Sequence, residues 1–149
     1  MECSKDMTTY KIEHQHLGKS AMMFIQFTQL GIAGHSNLSM GTQLNGDWLD
    51  HPFNSNPLAL AHTVAFVLMA VRTYLERYPR RKVVIIGAEA SRNRLYRMIV
   101  NRIHSTIVAN FRLAGLVESE SGVVKKVEFQ AHLDYCGFVI EPLEDAEPP

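Results

Sequence analysis

The order of apolar patterns along this 149-residue chain predicts an α+β fold: one mixed, mostly antiparallel sheet with two main helices packed on it. Three observations carry that reading. Two or three strand-like runs come first, then helix, strand, helix and two closing strands, an order that disfavours a strictly alternating, doubly wound sheet. The two helical patterns are long and the strand runs short. No internal repeat is visible. At this length a single domain can bury its own core, and hydrophobic and charged shares of 46% and 20% argue against wholesale disorder. The domain is expected over 1–141, with 142–149, acidic and Pro-rich, as a disordered tail.

Thr8–His14 and Ala21–Leu30 read as strands parted by Gly18, and the nearly continuous apolar run in MMFIQF suits a strand central in its sheet. Gly31, Gly34 and His35 mark a break before a further short strand, Asn37–Thr42. Gln43–Asn56 carries Gly, Asp, Pro and several Asn and reads as a long loop. Asn56-Pro57 is a good helix start, because the amide can cap free N–H groups and proline fits the first turn. That helix should run to about Tyr78, with Leu60, Val64, Val67, Leu68, Val71 and Leu75 at helical spacing. Phe66, Met69 and Tyr74 widen its apolar surface, which predicts packing on more than one side.

Arg81–Ile86 is the next strand. A helix follows from near Ser91, with Leu95, Ile99 and Ile103 on one face and Arg94, Arg97, Asn101 and His104 on the other. Ser105–Leu113 reads as its helical continuation, stopped at Gly115. Val123–Gln130 and Tyr135–Ile140 close the domain as strands.

Formal net charge is zero, but its distribution is uneven. Between Arg72 and Arg112 ten Arg or Lys face two acids; from Leu113 onward two Lys face eight acids. Either a basic face meets a partner or the two halves pair internally. Cys3 and Cys136 form no disulfide framework or zinc spacing. The N-terminus lacks a signal-peptide pattern, and the charge-free run Pro57–Val71 is too short for a membrane span. A cytoplasmic chain with no membrane partner is the expectation.

The strand-to-helix turn RKVVIIGAEASRNRLYR, Arg81–Arg97, is the sharpest functional feature. A helix N-terminus there presents free N–H groups beside cationic side chains, which suits a small anion or a phosphate group. Its candidate residues are Gly87, Glu89, Ser91, Arg92, Arg94 and Arg97. Arg92 shares the apolar face of its helix, so it must be paired or reach a cleft. It is either an anion clamp or one half of an internal salt bridge with Glu89, Asp47, Asp50 or a C-terminal acid. Arg94, Arg97 and His104 could track phosphates with Arg102 beside them, yet no nucleic-acid signature is present, and that reading is the weaker one. His14, His16, Asp47, Asp50 and His51 have no specific ligand spacing, so no metal is expected. No Gly-rich phosphate loop, dinucleotide fingerprint or nucleophile elbow occurs, and no cofactor is implied.

At Gly87–Arg97 the chain resembles a family of small, uncharacterised bacterial proteins whose pattern reads Gly-Ser-Thr-x-x-Arg-Thr-Arg-Leu-Tyr-Arg. The similarity extends through Ile25-Gln26-Phe27, Asn37-Leu38, Gly41, Thr63-Val64-Ala65, Tyr78-Pro79, Phe111, Gly115 and Phe138. The resemblance implies a shared α+β fold and no activity. Two departures stand out: Ala88-Glu89 replaces Ser-Thr, and Asn54-Ser55-Asn56 replaces Asn-Gly-Asp. Both weaken any inherited chemistry. The leading reading is an interaction or regulatory module, homodimeric through a sheet edge or the basic helix. A phosphate-ligand binder and an enzyme on a small anion, using Arg92 and Glu89, are the alternatives.

Overall fold

Alternating inward residues decide which side of the sheet the helices cover. Tyr10, Met23, Ile25, Phe27, Leu38, Met40, Val83, Ile85, Leu113, Phe138 and Ile140 are all buried in one cluster with the apolar faces of both helices. The computed structural model describes residues 1–16, 18–48, 57–87 and 90–143. Its strands are β1 (Glu2–Cys3), β2 (Thr9–His16), β3 (Lys19–Gln29), β4 (His35–Leu44), β5 (Asp47–Trp48), β6 (Lys82–Ile85), β7 (Phe111–Glu118), β8 (Val124–Glu128) and β9 (Gly137–Pro142). The helices are α1 (Pro57–Arg77) and α2 (Ala90–Ile107).

All strands join one sheet in the order β1-β2-β3-β4-β6-β9-β7-β8, with β5 attached to β4. The β4–β6 pair is parallel and every other pair antiparallel. This is the mixed, mostly antiparallel α+β domain that the sequence predicts. Helix α1 therefore has to run back between two parallel strands. Because β9 lies antiparallel between β6 and β7, those two are parallel as well, and α2 must run back in the same sense as α1. Both helices start at one end of the sheet, beyond the carboxyl ends of β4 and β6.

Helix α1 packs on the sheet and against α2 but leaves Ala65, Met69 and Arg72 in solvent, so it is covered on two sides rather than all round. Among the described residues the opposite face of the sheet carries no helix. Its small cluster is Val84, Ala114, Leu116 and Val139.

Two local readings are corrected. Ser105–Leu113 does not continue as helix: α2 ends at Ile107, and Phe111–Glu118 is strand β7. The short apolar run Phe111–Val117 fits either state locally; pairing with β8 and β9 decides it. Gly115 is no helix stop but lies under Tyr135, whose ring would meet an added Cβ at 2.3 Å. The loop read over Gln43–Asn56 begins instead with a hairpin. Asn45 and Gly46, at φ of 54° and 85°, turn β4 into β5, and Asn-Gly is the dipeptide such a turn prefers. Residues 49–56 lie outside the described residues, as do 144–149 of the expected tail, which begins on the last residue of β9.

Part of the uneven charge resolves into internal pairing. Lys82 in the basic stretch meets Glu141, and Arg97 meets Asp134. Arg81 is engaged as well, donating to the Tyr74 hydroxyl at 2.9 Å with its guanidinium 3.8 Å from the Tyr78 ring centroid.

Candidate functional site

Helix N-termini carry free N–H groups, and both helices begin beyond the carboxyl ends of β4 and β6. Strand β3 holds one edge of β4 along Ser36–Gln43. On the other edge β6 pairs with His35–Asn37 and β5 with Gln43–Leu44. Alternate carbonyls face that edge: Gly34 accepts the Lys82 N–H at 2.7 Å. Met40, in the same alternation, falls in the gap between β6 and β5.

Arg92 fills the gap. Its Nη1 donates to the Met40 carbonyl across 52 residues of sequence. The side chain is partly buried and its partner is a neutral dipole; of the acids expected of a salt bridge, Asp47 does not pair with it, and Glu89, Asp50 and the acids of 144–149 lie outside the described residues. The positive charge is thus oriented and left uncompensated among the described residues. A guanidinium has five N–H donors, so one anchoring bond leaves most of the fork available.

Two features next to Arg92 were not singled out from the sequence. Thr42, two residues beyond Met40 on the same face of β4, is 1% exposed, and its hydroxyl has no hydrogen-bond partner among the described residues. Such a group costs free energy unless something satisfies it. Across the ladder from Thr42 sits Met23, whose Sδ accepts from Thr63 Oγ1 of α1 at 3.6 Å. Asn93 donates from Nδ2 to the Tyr135 carbonyl at 3.2 Å, while its buried Oδ1 has no partner among the described residues. Neither Thr42 nor Asn93 has a distinctive sequence signal; a Thr at the inward phase of a strand only gains meaning once its neighbours are known.

Gly87 has a steric role. A Cβ there would stand 2.4 Å from the Asn93 backbone nitrogen, so only glycine lets α2 start directly against the end of β6. Arg92 and Asn93 then pin the first turn of α2 to the sheet on opposite sides. Among the described residues Arg94 has no ion pair or hydrogen bond and is exposed. Arg97 is drawn away: its Nη1 pairs with Asp134, and it lies seven residues into α2, roughly 10 Å along the axis from the helix start.

The row of Arg97, Asn101 and His104 is likewise occupied. Asn101 Oδ1 accepts the His132 N–H at 3.0 Å, and the His104 ring lies 5.5 Å from that of Phe129. These side chains hold down the β8–β9 connection instead of forming a free basic face. Tyr96 is in the core. Glu89, Asp50 and His51 lie outside the described residues, as do the side chains of Ser91, His14 and His16. Asp47 is exposed on β5. Among the described residues no group of three or more His, Cys, Asp or Glu could hold a metal ion, and no helix is long and apolar enough to cross a membrane.

A second charged cluster lies on the bare face of the sheet. Glu141 is 5% exposed and receives Lys82 at 3.2 Å and Lys126 at 3.1 Å, from two different strands. Burial alone would push its pKa up. Hydrogen bonds from Lys126 and Lys82, with their charges, outweigh that and hold the carboxyl below its ordinary 4.5.

Compared with known proteins, residues 1–142 match the model of a family of unknown function, DUF6934. No curated protein matches the chain. No solved structure matches it.

Proposed function

The chain belongs to this family of unknown function, and from that premise we propose that it is a small binding module whose ligand presents a phosphate or carboxylate at the carboxyl ends of β4 and β6. One observation carries the reading. Both helices begin at that end, and Arg92 is held there by a backbone carbonyl with its charge unmatched among the described residues. Each helix N-terminus contributes roughly half a positive charge and free N–H groups. Thr42 adds an unsatisfied hydroxyl beside them. Arg94 is the further cation free to approach a ligand from the solvent side. A cytoplasmic setting belongs to the same reading, resting on two free cysteines that are not paired with each other.

Chemical-shift titration with inorganic phosphate tests it. The expected result is saturable shifts of the Arg92, Asn93 and Thr42 amides. Arg92→Met should abolish them while keeping the folded spectrum, and Arg97→Ala should leave them unchanged. No saturable shift in the wild-type chain overturns the reading. So does an Arg92→Met chain that binds phosphate as the wild type does.

Association with a second copy is the other half of the module reading, and the sheet supplies an edge for it.

A further inference from the structure

Among the described residues strand β8 ends the sheet, and no strand pairs with its outer edge. Val123 and Val124 at its start are 63% and 52% exposed, and no proline interrupts Val124–Glu128. An uncovered edge of this kind is a template for another strand. We propose that β8 pairs antiparallel with β8 of a second copy of this chain about a two-fold axis through Val127. This deepens the association half of the module reading and does not depend on the phosphate site.

The register follows from side-chain chemistry. A two-fold axis perpendicular to the sheet puts residues of the same face opposite each other, so the axis must pass through one residue of β8. An axis through Lys125 or Lys126 sets that lysine against its own copy, and one through Glu128 sets two carboxylates together. Each of those is repulsive. An axis through Val124 brings together the exposed start of the strand and leaves Glu128 without a strand partner. Val127 remains. There Val127 meets its own copy, and Lys126 faces Glu128 of the second copy twice over by symmetry.

Glu128 is suited to the role. It is exposed and forms no ion pair among the described residues. Lys126 is already extended and oriented by Glu141, with its side chain still 48% exposed. Lysines on an edge strand usually discourage pairing. In this register alone their charge is answered.

Sedimentation velocity over a concentration series tests the proposal, with hydrogen exchange of the β8 amides as a second readout. The expected result is reversible dimerisation with β8 protection that rises with concentration. Glu128→Lys should weaken association by about tenfold, since two attractive contacts become repulsive. Glu128→Gln removes the attraction without adding repulsion and should weaken association less than Glu128→Lys, while Lys125→Glu, off the charged face, should stay within about twofold of wild type. A chain that remains monomeric throughout overturns the proposal. So does a Glu128→Lys chain that dimerises like wild type, or a Glu128→Gln chain weakened as much as Glu128→Lys. The two readings fail separately: Glu128→Lys should still bind phosphate, and Arg92→Met should still dimerise.

Discussion

Arg92 and Glu141 are both charged side chains anchored on the sheet, and they are finished in opposite ways. Glu141 is buried on the bare face with two lysines closing on it from adjacent strands. Its hydrogen bonds and its charge are answered within the chain. Arg92 sits where the helices begin and rests on one neutral carbonyl. Its geometry is answered, but among the described residues its charge is not. The first arrangement pins β9 between β6 and the β7–β8 hairpin. The second orients a cation that has no acidic partner among the described residues. A charged group's partners, more than its burial, separate a structural pin from a recognition element.

The contrast can be broken first at Gly87. Gly87→Ala places a methyl group against the Asn93 backbone, which cannot rotate aside. It should cost about 3 kcal/mol or lift the first turn of α2 from the sheet, and phosphate binding should fall with it. Thermal unfolding together with the phosphate titration reads both effects.

Next in size is Glu141→Ala, expected to cost about 2 kcal/mol, because two lysines lose a shared, nearly buried carboxylate but can themselves reach water. The pH dependence sharpens this. The folded carboxyl titrates below 4.5, so its contribution is complete above that value and is lost as pH falls through the lower, folded pKa. Urea unfolding between pH 7 and pH 3 should show an acid-side loss in the wild-type chain, and Glu141→Gln should show less of it. An equal loss in both would remove Glu141 as the cause.

Arg92→Met should cost only about 1 kcal/mol, the worth of one hydrogen bond to a carbonyl, while phosphate binding disappears. Smallest is Asp134→Ala. It frees Arg97 from an acid that is 90% exposed, so stability should change by less than about 1 kcal/mol. Phosphate binding should stay as it was.

Much of the architecture was legible because it is local. The 3.6-residue spacing of Leu60, Val67, Val71 and Leu75, and of Leu95, Ile99 and Ile103, marks both helices, and all seven are buried. The inward phase of Met23, Ile25 and Phe27 marks a central strand with the same clarity. Phe111–Glu118 was misread because a short apolar run after a helix satisfies two local patterns at once. The hairpin at Asn45-Gly46 carried its signal in the dipeptide, inside a stretch whose polar composition reads as loop.

The sequence by itself settles periodicity, breaks, the number of helices and the place of Arg92 on the inner face of α2, since each depends on neighbours within a few positions. Tertiary structure alone decides that β9 enters between β6 and β7, that Met40 presents its carbonyl to Arg92, and that Asp134 takes Arg97. Those pairings join residues 21 or more positions apart. They are fixed by strand order and register, which emerge only when the whole core packs.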